Sequence, residues 1–395
     1  MTTILITPLD PVIARDGRPF NAGTRMKGLD WPYPSVLAGS LRTLVGKLEG
    51  KGFPPETVRA LKDVEVAGPL PIQGGDLYFP AAADLVLDAT RVPHAARPSA
   101  SANTDHDLPG GLRPAMMPAD LGDDFKPSTP PPFWSCGRMT EWLVNPQRFP
   151  VPVPPESPES GFLSGPQRDE RTQTAIDPAS GVAKDALLFQ TVALAFPDGL
   201  AMGARVRAEG ALASHLERLH AIHPIGGERR LALWQDADPP PLPAPSGKHK
   251  KKSVAPARRP SADPWRCPDA VRQVLSQNPL RVRMVLATPA LFEGGWKPSW
   301  IRDGRPPGLD PRDDVTLTLI SVCVPRWRPI SGWNFEVGRM RPKAARRLAP
   351  AGSVYFFEAR GATSALARLW LEPVSDLPQD RNDGFGLALW GVWSE

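Results

Sequence analysis

An α+β fold built twice over is what this sequence predicts, and three observations carry the expectation. At 395 residues the chain is longer than one hydrophobic core usually serves, so two units with their own cores are expected. Short apolar runs bounded by Gly and Pro alternate with a few helical patterns. Finally, Leu-Ala-Leu-Trp occurs at 231–234 and again at 387–390, each time after a helical stretch and a glycine loop. Four residues can match by chance, but the shared order points to a duplicated unit.

The elements follow in chain order. Ile4 to Ile6 is a strand that ends at Pro8, with the turn Asp16-Gly17 after it. Behind Pro34, Ser35 offers an N-cap, and Val36, Leu37, Leu41, Leu44, Val45 and Leu48 share a helical face up to Gly50. Strands are expected over 64–72, 77–79 and 85–87, and the Pro- and Asp-rich stretch 91–132 reads as long irregular surface. Residues 139–143 form a short helix, and FPVPVPPESPES an extended connector.

A hairpin then pairs 171–176 with 187–196 across a turn at 178–181. Residues 211–220 are helical, Gly226-Gly227 follows, and 230–234 is a strand. Residues 239–263 carry six Lys/Arg with no hydrophobic period, the pattern of a disordered basic linker. The second half reads as strands at 280–288, 315–324 and 353–358, a helix at 365–372, the loop Gly384-Phe385-Gly386 and a last strand at 387–393. Two such sets fit tandem ferredoxin-like (RRM-like) domains with long loop insertions. They span 1–238, with insertions at 91–132 and 146–166, and 264–395.

Composition narrows the function. Fifty prolines mark a loop-rich chain, and 47 basic against 42 acidic residues give only +5, too little to require a polyanion. The charge is local: residues 1–62 hold nine bases and five acids, 321–347 seven and one, and 76–131 four and eight. A nucleic-acid footprint and ordinary surface patchiness account equally well for these counts. Cys136, Cys267 and Cys323 stand far apart without CxxC spacing, so neither a zinc site nor a disulfide framework is indicated, and a reducing cytoplasm is expected. Without a signal-like start or an apolar run of about 18 residues, no export and no membrane partner are expected.

The turn Asp16-Gly17-Arg18-Pro19-Phe20 should project Arg18, with Arg15, Arg25 and Lys27 close by. Guanidinium forks pair with phosphate oxygens, so this group suits an RNA backbone; a turn with Arg18 merely bridged to Asp16 is the structural alternative. Gly226-Gly227, followed by Arg229 and Arg230, and Gly384-Phe385-Gly386 could bring backbone N–H groups to a phosphate, although such loops more often only turn the chain. Phe20, Trp31, Phe292, Trp296, Trp300, Trp327 and Trp333 lie in loops, where they either stack on bases or, for most of them, pin the loops down. Catalytic candidates are few: an Asp10/Asp16 carboxylate pair, or His220 or His223 as a general base. No metal spacing, P-loop or dinucleotide motif occurs, so no enzyme and no cofactor are expected.

Several words then line up in order: PLDPVIARDGRPF, WPYPSVLAGSLR, GPLPI, LYFPAAADL, LLFQTVALAF, IGGERR, TPALFEGGWKPSW, SGWN, PAGSVYFF and GFGLALWG. The series resembles the third-subunit family of Cmr RAMP proteins, from type III-B CRISPR antiviral effector complexes, over essentially the whole chain. The resemblance implies two ferredoxin-like domains without enzymatic activity. It implies partners too: the repeat-derived 5' tag of the CRISPR RNA, the large polymerase-cyclase subunit and the backbone subunit, which such a protein joins at the foot of the complex. Carried over by position, the candidate contacts are Arg18, Arg42, Gly226, Gly227, Glu228, Arg229 and Gly384 to Gly386, with Arg230 and the hairpin's Arg171 beside them. One departure stands out: the family hairpin tends to read Glu-x-Arg-x-Gly-Ile, and residues 169–176 lack that glycine.

Overall fold

The computed structural model describes residues 1–18, 25–100, 108–118, 121, 125–150, 152, 157–237, 263–334 and 341–394. The first half runs β1 (Thr2–Pro8), α1 (Pro34–Glu49), α2 (Pro55–Asp63), β2 (Glu65–Gln73), β3 (Asp76–Pro80), β4 (Phe133–Ser135), α3 (Cys136–Val144) and β5 (Phe162–Leu163). It continues with β6 (Gln167–Ile176), β7 (Ala183–Ala195), β8 (Leu200–Arg207), α4 (Gly210–Leu216), β9 (His220–Pro224) and β10 (Leu231–Asp236). The second half comprises α5 (Asp269–Ser276), β11 (Arg281–Leu286), β12 (Val315–Cys323), β13 (Arg328–Ile330), β14 (Arg346–Leu348), β15 (Val354–Gly361), β16 (Glu372–Pro373), α6 (Pro378–Asn382) and β17 (Leu387–Val392).

Antiparallel pairing organises both halves. The first sheet has the order β9-β10-β1-β8-β2-β3-β4-β5, and the second β12-β15-β11-β17-β16. The repeated Leu-Ala-Leu-Trp run occupies the same place in each: β10 pairs with β1, setting Trp234 opposite Ile6, and β17 pairs with β11, setting Trp390 opposite Met284. Both indoles are fully buried and each donates its N–H to a carbonyl, Trp234 to His223 O at 3.0 Å and Trp390 to Leu369 O at 3.2 Å. Each buried indole N–H thereby finds an acceptor.

Local differences from the sequence expectations have plain causes. Helix α1 starts one residue before Ser35: Tyr33 is the N-cap and Pro34 takes the first helical position, where a missing N–H costs nothing. Its C-terminus is closed by Gly50 at φ 74, and Leu37, Ala38, Leu41, Leu44 and Val45 form the buried stripe. Helix α4 ends at Leu216, so His220 opens β9 rather than closing a helix. The expected helix at 365–372 is a 3-10 turn over Thr363–Leu369. Helices α2 and α5 were not foreseen. The described parts of 91–132 are not merely irregular: Arg97–Pro98 pairs with Ala115–Met116, and Arg113 N donates to Ile320 O in β12. The 239–263 segment lies outside the described residues but for Asp263.

The two sheets are packed together rather than tethered. The largest core cluster draws Phe79, Trp134 and Trp142 from the first half and Trp265, Met284, Phe357 and Trp390 from the second. At its centre the fully buried carboxylate of Asp84 receives Arg283 Nη1 at 2.6 Å and Trp142 Nε1 at 2.8 Å. The Arg283 guanidinium also donates to the Trp142 carbonyl and lies over the Trp142 ring, 5.4 Å from its centroid. Burial lowers the arginine pKa, and Asp84 is the charge that counters the effect.

Candidate nucleic-acid interface

Four bridges bring the N-terminal turn region, the β6–β7 hairpin and the first glycine loop together. Val12 pairs with Leu194, Ile13 with Gly227, Arg15 with Gly28 and Arg25 with Gln190. Gly17 extends the assembly to the second half, since a Cβ there would lie 2.3 Å from Ser331 N beside β13. Asp30 ties in the hairpin's Arg168, and it also meets Arg328 of β13 at 3.4 Å. These contacts gather Arg15, Arg18, Arg25, Lys27, Arg168, Arg171, Arg229, Arg230, Arg328, Arg346 and Arg347 around one junction, although Arg168 and Arg171, three apart on β6, and Arg346 and Arg347, adjacent on β14, project from opposite faces of their strands.

The side chains on this surface are held to different degrees. Arg18 bonds Asp16 through its backbone N at 3.1 Å and its Nε at 2.7 Å, the bridged-turn alternative, yet its side chain remains 54% exposed. Arg25 pairs with Glu170, and Arg171 with Asp169 at 2.6 Å, which holds that carboxyl below the usual carboxylate range. These are exposed, solvent-screened pairs, so a phosphate can replace the carboxylate at little cost. Among the described residues Arg15, Lys27 and Arg229 are exposed and have no ion-pair partner.

The first glycine loop presents its arginine through an uncommon backbone. Gly226, Glu228 and Arg229 take φ of 72°, 55° and 53°. For the two non-glycine residues that conformation costs of order 1–3 kcal/mol each and persists only because the surroundings impose it. The loop is pinned by Gly227 N donating to Ile13 O at 2.7 Å and Ile225 N to Arg230 O at 2.8 Å. A Cβ on Gly226 would come within 2.4 Å of Ile13 O.

Other candidates lie elsewhere. Gly384, Phe385 and Gly386 are buried, and their N–H groups donate to Arg381 O, Asp380 O and Pro289 O. No N–H of that loop remains for a phosphate. Gly384 is glycine for a packing reason, at φ 91 with a Cβ position 2.3 Å from Val66 O. Arg42 points into the junction between the halves, pairing with Asp383 and donating to Val64 O at 2.7 Å and Asn382 O at 3.1 Å. Most loop aromatics pin the chain: Phe292 and Trp300 are buried, Trp296 packs against the core and Trp31 is half-buried. Trp327 is the exception, 47% exposed with Arg347 stacked 4.9 Å from its ring centroid. Phe20 and the Trp333 side chain fall outside the described residues. Sequence reading passed over Arg168, Arg328 and Arg346 individually, although the basic excess at 321–347 had marked the second-half contribution.

The catalytic candidates do not assemble. Asp10 accepts from Leu231 N at 2.9 Å while Asp16 is spent on Arg18. His220 and His223 lie three apart on β9 and therefore project from opposite faces; His220 is exposed and His223 buried. Among the described residues no group of three or more His, Cys, Asp or Glu is placed to hold a metal ion, and no helix is long and apolar enough to cross a membrane.

Burial pushes the His223 pKa below the usual histidine value, with Lys47 adding to the effect. A depressed folded-state pKa makes the contribution to stability complete above about pH 6.5, the unfolded value, and lost as the pH falls through the folded one. Thermal stability should accordingly drop between pH 7 and pH 5, and His223→Gln should flatten the curve. Parallel curves for the two proteins would contradict this.

The chain is a mixed α/β protein of antiparallel sheets, with exposed arginines where its N-terminal turn region, its hairpin and its first glycine loop meet. The family is specific: residues 4–393 match the model of the CRISPR-associated protein (Cas_Cmr3) family, and the chain belongs to it. No curated protein matches the sequence. Among solved structures the chain is similar to one in the cryo-EM structure of the Type III-B Cmr-beta bound to cognate target RNA, at 15% identity, 90% of this chain, 86% of that chain and a TM-score of 0.45. The same assembly with AMPPnP in state 1 gives 15% identity, the same coverage and a TM-score of 0.44. A chain of the Csm3-Csm4 subcomplex of the type III-A CRISPR-Cas interference complex gives 9% identity, full coverage of both chains and a TM-score of 0.37.

Proposed function

We propose that this protein is a non-catalytic subunit of a type III-B CRISPR effector complex that binds the 5' tag of the CRISPR RNA. In this reading it also links the large polymerase-cyclase subunit to the backbone subunit. The observation that carries the RNA part is the cluster where turn region, hairpin and glycine loop meet: Arg15, Lys27 and Arg229 are exposed and without an ion-pair partner among the described residues, near weakly paired Arg18, Arg25 and Arg171. The chain is then two ferredoxin-like domains, 1–238 and 264–395, joined by the basic segment 239–263. Supporting this are the strand orders β10-β1-β8-β2 and β17-β11-β15-β12, both antiparallel, with the first and last strands of each unit side by side.

The test is binding of the full chain, alone and with its large partner subunit, to a labelled RNA bearing the repeat-derived 5' tag, across a salt series. Tag-dependent affinity that falls with salt, without cleavage, is the expected result. RNA cleavage abolished by His220→Ala would instead make the protein a processing nuclease. Absence of binding even with the partner would leave only a protein-scaffold role.

A further inference from the structure

A groove of about 620 Å³ opens at the end of the second sheet where β11 begins and β17 ends. Val274, Leu280 and Val392 give it an apolar lining, and Arg281, Glu358 and Arg360 a charged one. We propose that this groove receives a short acidic segment of a neighbouring subunit, which sets a large apolar side chain against Leu280 and its flanking carboxylates against Arg281 and Arg360. The inference rests on the subunit role proposed above and is independent of the RNA reading.

Charge decides what kind of partner fits. The strand register sets Arg281 opposite Glu358 across β11 and β15, and Arg360 follows on the same face of β15. Glu358 already meets Arg113 of the first half at 3.6 Å. Three guanidinium groups thus surround one carboxylate, and the complement to that excess is negative. Among the described residues Arg360 is exposed and has no ion-pair partner. Carboxylates are suited to such groups, since a guanidinium fork offers them paired N–H donors.

The apolar side of the groove is preorganised. Leu280 is 74% exposed, yet its backbone is fixed: Asn278 at φ 53 closes α5 by donating its N–H to Leu275 O at 3.3 Å, and Leu280 O accepts from Ala359 N at 2.8 Å. A side chain carried on fixed backbone loses less freedom when a partner covers it. The same lining disfavours RNA. Its one ring among the described residues, Trp393, is 6% exposed and has Arg281 over it, 5.2 Å from the centroid, so no base can stack there. Glu358 would repel a phosphate. The groove also stands apart from the arginine cluster, because β14 leads into β15 at Val354 and Arg360 lies near the far end of that strand, about 20 Å away at the usual rise per residue.

The test places p-benzoylphenylalanine at Gln277, exposed on the rim of the groove, in the full chain and irradiates the complex assembled from co-expressed subunits. One segment of a neighbouring subunit should cross-link, and it should carry Asp or Glu beside a large apolar residue. Leu280→Asp should weaken affinity for that subunit about 10-fold, the loss of one covered leucine. Arg360→Glu should weaken it too, and changing the cross-linked carboxylate to lysine should restore binding. Both variants should keep the wild-type melting temperature and the wild-type salt dependence of RNA binding. Cross-links to RNA, to a segment without carboxylates or to nothing in an assembled complex overturn the groove and leave the subunit and RNA readings standing. Variants that bind the subunit like wild type do the same. A chain that joins no complex removes the subunit reading together with this inference.

Discussion

Replacing Asp84 with alanine is expected to destabilise the chain by about 3–5 kcal/mol, because removing one partner of a buried ion pair leaves an uncompensated charge in the interior. Arg283 is 1% exposed, and its neighbours in the core are Trp142 and the second sheet, so no water reaches the freed guanidinium. Trp142 loses its N–H acceptor in the same step. The double variant Asp84→Leu/Arg283→Met should recover most of the loss, since an apolar replacement of a buried pair is often neutral. Denaturant unfolding of the two proteins checks both statements. A loss under about 1 kcal/mol for Asp84→Ala would show that the pair is not what joins the loop after β3 to α3 and β11.

The second large effect concerns RNA. Substituting alanine at Arg15, Arg171, Arg229 and Arg230 together should weaken tag binding about 1000-fold, at about 1 kcal/mol per contact over four contacts. It should also flatten the log–log salt dependence by about 0.7 for each phosphate contact removed. Arg42→Ala serves as the contrast. Its guanidinium bonds Asp383 and the carbonyls of Val64 and Asn382, so it should lower the melting temperature and leave the salt slope intact. Equal salt slopes for the quadruple variant and the wild type would remove the interface from this face.

Much of the architecture could be read from the chain because local patterns carried it. The stripe from Leu37 to Val45 and the apolar run Ile4–Ile6 each mark an element that is buried, the strand at Ile4 and Ile6. The twin Leu-Ala-Leu-Trp runs fall on β10 and β17, each paired with the first strand of its sheet half, β1 and β11. Where local pattern failed, tertiary context decided. The 363–369 stretch closes as a 3-10 turn against α5, with Thr363 Oγ1 donating to Leu275 O at 2.7 Å. Helix α5 lies just after a segment whose composition resembled a linker.

The candidate site divides along the same line. Arg15, Arg18, Arg25, Lys27, Arg229 and Arg230 were legible because turn chemistry and charge density are properties of neighbouring residues. That they share a surface with the β6–β7 hairpin and Arg328 was not legible, since those contacts span up to about 300 residues of chain. Two glycine loops that look alike in sequence have opposite fates: the one at 226–227 edges the basic face, and the one at 384–386 is sealed against Val66 and Gly68.

By itself, then, the sequence determined the family, the mixed α/β class and the local clusters of positive charge, all of which are written in short-range order. Only the tertiary structure decided which arginines reach solvent, which are consumed inside, and where a groove opens beside two of them. The physical reason is that an arginine's role depends on whether a carboxylate or carbonyl lies within hydrogen-bond reach, and for Arg42, Arg283 and Arg328 that partner comes from far along the chain.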